Sequence, residues 1–189
     1  VGIAGSDFWG FGMGHRYGDV MIGGAYHNGT LMKEENTYIN GWICTDGGDG
    51  VGGFVNPGFD RQAYSNYNIK RLQSNRTISP VTRDFQFQPN STYITGQSSD
   101  LLFHPHYYGT WYTGSGNKLY LTRDNGFTYE EIYDFGVAVA AMAMAHSDPD
   151  VLYACTYPGW WDTKKIYRSL NGGATWTEIT PPAALMNNA

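Results

Sequence analysis

The sequence predicts an all-β fold: a β-propeller of four-stranded antiparallel blades, with about four blade-sized units in 189 residues. Three observations predict it. The composition combines 25 Gly with 15 Tyr, 6 Trp and only 15% charged residues, which suits short strands joined by Gly-rich turns. A turn motif occurs twice, starting at Leu119 and again at Ile166, 47 residues apart. Proline turns recur at nearly the same interval, at Pro57, Pro105 and Pro149.

The motif is the most specific of the three. Leu119-Tyr-Leu-Thr-Arg-Asp-Asn-Gly-Phe-Thr-Tyr129 aligns without gaps on Ile166-Tyr-Arg-Ser-Leu-Asn-Gly-Gly-Ala-Thr-Trp176. Both fit Ser/Thr-x-Asp/Asn-x-Gly-x-Thr-aromatic. The first copy uses Thr122, Asp124, Gly126, Thr128 and Tyr129; the second uses Ser169, Asn171, Gly173, Thr175 and Trp176. This is the chemistry of a tight hairpin. The Asp or Asn side chain accepts from backbone N–H groups, the Gly supplies a positive φ, and the aromatic packs back into the sheet.

The proline turns set the rest of each unit. Ser147-Asp-Pro-Asp150 precedes the strand-like Val151-Leu-Tyr-Ala154, His104-Pro-His106 precedes Thr110-Trp-Tyr-Thr113, and Val55-Asn-Pro57 precedes Gln62-Ala-Tyr-Ser65. Each unit reads as strand, proline turn, strand, loop, strand, motif hairpin, strand. The units fall at 1–47, 48–90, 98–135 and 136–180, with 181–189 as a tail or linker. The first is irregular, with strands expected near 19–26 and 37–45, and the third strand of the second is expected at Ile69 to Ser74. Helix propensity alone would favour a helix over the Ala-rich Ala138 to Ala145; the repeat makes it an innermost strand. The Gly-rich segment Phe8 to Gly18, carrying His15 and Arg16, is assigned to the channel lining.

Taken together, residues 99–180 resemble the Asp-box (BNR-repeat) propellers, which include sialidases, xyloglucanase-like glycoside hydrolases and sortilin-type receptor domains. Ile22-Gly-Gly-Ala-Tyr-His-Asn-Gly29, followed by Trp42 and Gly47-Gly-Asp-Gly50, is similar to the sortilin-like and xyloglucanase-like branch, with Tyr26-His27 in place of its usual residues. The resemblance implies an extracellular or cell-surface protein. It also implies a larger ring, so the chain is expected to be part of one or to join an assembly that completes it. An opening at Val1, inside an ongoing pattern, agrees with a processed or partial chain.

Composition excludes several function classes. Net charge is −5 and no Lys/Arg run exists, so nucleic acid lacks its basic footprint. No apolar run reaches the length of a membrane span. Cys44 and Cys155 are compatible with pairing or with two thiols, and no CxxC or Cys/His cluster points to zinc. Sequons at Asn28, Asn75 and Asn90 matter only in a eukaryotic secretory protein.

Blade topology then separates two faces. The motif hairpins and the turns joining first to second strands share one; the loops joining second to third strands, and one blade to the next, share the other. On this second face lie Tyr26-His27-Asn28-Gly29, Asp46-Gly47-Gly48-Asp49, Tyr93, and Tyr157-Pro-Gly-Trp160-Trp161-Asp162. Aromatic faces stack on sugar rings and carboxylates bind hydroxyls or do acid–base work. His27, Asn28, Asp46, Asp49, Trp160 and Trp161 are therefore the ligand-binding candidates, and Asp46 and Asp49 the catalytic ones. Each also has a plain reading. Gly-Gly-Asp-Gly makes a turn, Trp160 and Trp161 pack between blades, and His27 is a hydrogen-bonded strand end. Asp46 and Asp49 could hold Ca²⁺, although a Gly-rich carboxylate pair is no specific signature; no other cofactor is expected.

Two functions remain open: a propeller module that binds a protein or glycan ligand, and a glycoside hydrolase of the xyloglucanase-like type with two carboxylates across a cleft. A sialidase is disfavoured. The resemblance would require three clustered arginines, yet Arg123 and Arg168 adjoin the motif hairpins on the other face, and no glutamate sits in a catalytic motif.

Overall fold

The computed structural model describes residues 8–25, 27–33, 41–48, 50, 52–65, 69–74, 81–87, 101–159, 163–182 and 185. They form four antiparallel sheets of four strands each, in sequential order, and no α-helix occurs among them. The first sheet is β1 (Phe8–Met13), β2 (Met21–Ala25), β3 (Gly29–Lys33) and β4 (Ile43–Asp46). The second is β5 (Gly53–Asn56), β6 (Phe59–Ser65), β7 (Ile69–Ser74) and β8 (Val81–Phe87). The third is β9 (Leu102–Phe103), β10 (Trp111–Ser115), β11 (Lys118–Thr122) and β12 (Glu130–Asp134). The fourth is β13 (Val139–Ala145), β14 (Asp148–Thr156), β15 (Ile166–Ser169) and β16 (Thr177–Glu178).

The core lies between sheets. Sheet one gives Val20, Ile22 and Met32 to a cluster with Val55 and Ala63 of sheet two. Tyr64 of sheet two meets Trp111 of sheet three, ring centroids 5.6 Å apart, with Leu101 and Phe103 beside them. Leu119 and Leu121 of sheet three pack on Leu152, Met142 and Met144 of sheet four. Each blade buries apolar side chains against its neighbour, as stacked propeller units do. The central strand β10 is therefore buried on both faces, from Trp111 to Gly114.

Polar groups also tie blade to blade. The buried Asp60 carboxylate of sheet two accepts from the backbone N–H of Arg16 and, at 2.5 Å, from that of Tyr17 in the β1–β2 turn. Asn56 donates to the carbonyl of Tyr108 at 2.9 Å. Tyr112 Oη donates to the carbonyl of Gly172 at 3.4 Å.

Four details differ from, or sharpen, the sequence expectations. The first unit has four strands rather than strands near 19–26 and 37–45 alone: Phe8–Met13 is its inner strand. Its Phe8-Trp-Gly-Phe-Gly-Met13 order leaves large rings exposed and covers the glycines, so it lacks the usual apolar-in, polar-out order. The Ala-rich segment is the strand β13, first in its sheet. Pro149 lies just past the hairpin, in a β14 register irregularity between the Met144–Leu152 and Ala145–Asp148 pairs, where no ladder N–H is needed. No disulfide joins Cys44 to Cys155.

Candidate functional site

The two motif turns fold alike. Gly126 N–H donates to Thr122 Oγ1 and Gly173 N–H to Ser169 Oγ, both at 2.9 Å. Thr128 N–H donates to Asp124 Oδ1 and Thr175 N–H to Asn171 Oδ1, again at 2.9 Å. Gly126 and Gly173 have φ of 88° and 90°, where only glycine is unstrained. Tyr129 packs on Trp111 with centroids 5.4 Å apart, and Trp176 on Phe135 at 5.1 Å. The side chains of Thr122, Asp124 and Thr128, and of Ser169, Asn171 and Thr175, all bond to the turn's own backbone or to one another.

Backbone hydrogen bonds fix which face these turns occupy. Asn125 N–H donates to the carbonyl of Gly109 at 2.9 Å, and Gly172 N–H to that of Asp150 at 2.9 Å. The motif hairpins thus sit beside the β9–β10 connection and the β13–β14 hairpin.

The β2–β3 hairpin and the loop after β4 lie on the opposite face. His27 and Asn28 are exposed at the β2–β3 hairpin, with His27 at φ 58°, a conformation uncommon outside glycine and tied to turns. This hairpin is bonded to the loop after β4. Gly29 N–H donates to the carbonyl of Gly48 at 2.7 Å, and Gly50 N–H donates to that of Ala25 at 3.1 Å. A Cβ at Gly50 would collide with the Gly29 carbonyl. Two of the loops named from sequence are therefore locked side by side at the seam between blades one and two.

The third loop belongs to blade four. Tyr157 N–H donates to the carbonyl of Ala138 at 2.7 Å, and Lys164 Nζ lies 5.2 Å from the Tyr157 ring centroid. Tyr26, Asp49, Tyr93, Trp160, Trp161 and Asp162 lie outside the described residues, as does the Asp46 side chain. Among the described residues no group of three or more His, Cys, Asp or Glu is placed to hold a metal ion.

The motif face holds a feature the sequence only touched. The β1–β2 turn brings His15, the β5–β6 turn Pro57, the β9–β10 connection His104, Pro105 and Tyr108, and the β13–β14 hairpin His146 to the rim of one cavity of about 480 Å³. From its Gly-rich setting His15 was expected to line the channel; the structure places it in the β1–β2 turn, at the rim of this cavity. His104 and His146 each adjoin a proline turn, which was the signal available for them.

No family model and no curated protein matches the chain. Solved structures do. An ancestral GH74 enzyme superposes with a TM-score of 0.65 at 16% identity, over 95% of this chain and 25% of that one. The chain is a partial β-propeller. A GH74 enzyme of Niastella koreensis superposes with a TM-score of 0.65 at 14% identity, over 94% of this propeller chain and 30% of its own. The propeller blades described here thus span a quarter to a third of the length of either enzyme.

Proposed function

We propose that the chain is a segment of a larger, secreted or cell-surface β-propeller of the Asp-box type, and that it binds glycans on the face opposite its motif turns. The observation that carries the reading is the bonding of the His27–Asn28 hairpin to the Gly47–Gly50 loop through Gly29 to Gly48 and Gly50 to Ala25. It presents an imidazole and an amide on a stiff backbone, where fixed polar groups recognise hydroxyls without first being ordered. Trp160 and Trp161 would add the stacking surface. The GH74 glycoside hydrolase propellers supply the fold-level support for a glycan ligand. The paired motif turns support membership of the Asp-box group.

The same likeness favours a second reading, polysaccharide hydrolysis by a carboxylate pair that includes Asp46 or Asp49. A glycan array read with the purified chain, followed by reducing-sugar release on every polysaccharide that binds, tests both. Binding without release supports the module. Release that is lost in Asp46→Asn or Asp49→Asn supports the hydrolase. No binding to any glycan overturns the proposal.

A further inference from the structure

The cavity on the motif face is built by the first-to-second-strand turns of all four blades. Its size, about 480 Å³, falls in the range of small-molecule sites. The lining mixes an apolar floor, Leu102 and Phe103 of β9, with three imidazoles, and it includes no carboxylate.

Two of its side chains are held in place by the fold. His104 Nδ1 accepts from the backbone N–H groups of His106 at 3.1 Å and Tyr107 at 3.2 Å. A neutral imidazole whose Nδ1 accepts carries its proton on Nε2, so His104 offers the cavity a fixed N–H donor. Burial favours this neutral form, and nearby His106 adds to the effect while Asp150 opposes it. Tyr108 is braced as well. Its carbonyl accepts from Asn56 Nδ2, whose residue is 2% exposed. Its ring lies against Gly58, where a Cβ would collide with it. A ring 41% exposed and held this way is a ready stacking surface. His15 and His146, both exposed, complete the rim from blades one and four.

We infer that this cavity is a second ligand site, for an acidic sugar whose carboxylate takes the His104 N–H and whose pyranose face stacks on Tyr108, with His15 and His146 at the rim. Imidazole N–H donors in a lining without a carboxylate favour an anion, although Asp150 lies near His104 outside the lining. The apolar floor and the tyrosine select a ring over a bare ion. The site is independent of the glycan face proposed above and lies on the other side of the disc.

Titration of the full chain with D-glucuronate, D-glucose and acetate, followed by calorimetry, tests it. Glucuronate is expected to bind about tenfold more tightly than either, one charge-assisted hydrogen bond or one stacked ring being worth roughly that factor. Tyr108→Ala and the exposed-rim variant His146→Ala are each expected to weaken glucuronate by about threefold to tenfold, with unchanged melting for His146→Ala. A Trp160→Ala/Trp161→Ala variant is expected to bind it as the wild type does, which separates this site from the opposite face. Glucuronate binding no tighter than glucose or acetate, or unaltered in His146→Ala, would overturn the inference.

Discussion

Asp124 and Asn171 occupy the same position in two turns and accept the same hydrogen bonds, but one donor is reversed between them. Thr128 Oγ1 donates to Asp124 Oδ2 at 2.7 Å, whereas Asn171 Nδ2 donates to Thr175 Oγ1 at 2.9 Å. The geometry tolerates either direction because a hydroxyl is both donor and acceptor. The turn therefore needs a planar oxygen-bearing group at this position, and the negative charge is optional.

That equivalence makes a prediction about acid. Burial pushes the Asp124 carboxyl upward, but hydrogen bonds from the Thr128 N–H and hydroxyl and from the Thr122 hydroxyl outweigh it, so it sits below the usual carboxylate range. A carboxyl held low in the folded state stabilises the fold above its unfolded pKa, and that contribution is lost as pH falls through the folded value. Asn171 carries no such proton. Asp124→Asn is expected to cost less than about 1 kcal/mol at neutral pH and to lose less stability on acidification than the wild type. Urea titrations at neutral pH and near pH 3 check both.

The glycine shared by both turns, Gly126 and Gly173, differs from Gly172, which stands where the first turn holds Asn125 at φ of 62°. At Gly126, with φ of 88°, a Cβ would meet Trp111 Cζ2 at 2.8 Å and Tyr129 Oη at 3.0 Å. At Gly172, with φ of 64°, the nearest atom to a Cβ is Asp150 Oδ1 at 3.4 Å. Gly126→Ala therefore combines backbone strain with a clash against a ring core, and is expected to destabilise by about 2 kcal/mol or more. Gly172→Ala carries the strain alone, and about 1 kcal/mol is expected. Chemical denaturation ranks the two.

Asn56 is the polar pin between blades two and three. Its Oδ1 accepts from Gly58 N–H at 2.9 Å and Phe59 N–H at 3.1 Å, while Nδ2 donates across the seam to Tyr108. Asn56→Ala strands these buried groups, and a loss of about 2–4 kcal/mol is expected. Asn56→Asp keeps the acceptor but places a second acceptor against the Tyr108 carbonyl. It is expected to destabilise as well, increasingly as pH rises and the carboxyl ionises. Thermal unfolding of the two variants across pH separates lost packing from lost donation.

The motif turns were readable from sequence because each residue's task is local: Thr122, Asp124, Gly126 and Thr128 bond within a span of four residues. The four-stranded blades followed from those turns and the prolines. β1 escaped because its large side chains, Phe8, Trp9, Phe11 and Met13, are exposed while Gly10 and Gly12 are the half-buried positions, the reverse of the apolar-in order that marks a strand. Asp60 was equally hidden, since its partners lie 43 and 44 residues away. The same distance effect scattered the cavity histidines over His15, His104 and His146, which only the ring of turns assembles. For the opposite face, the sequence put several loops on one side, and the Gly29–Gly48 bond that joins two of them is visible only in the structure; loop residues carry no periodicity from which their side-chain roles can be read.

The most direct measurement on the glycan face is the affinity of the chain for its tightest array-identified glycan, compared between wild type and Trp160→Ala/Trp161→Ala. Losing two stacking rings is expected to weaken binding by about a hundredfold while leaving the melting temperature within about 2 °C of the wild type. Equal affinity in the two proteins would contradict the assignment of glycan binding to this face.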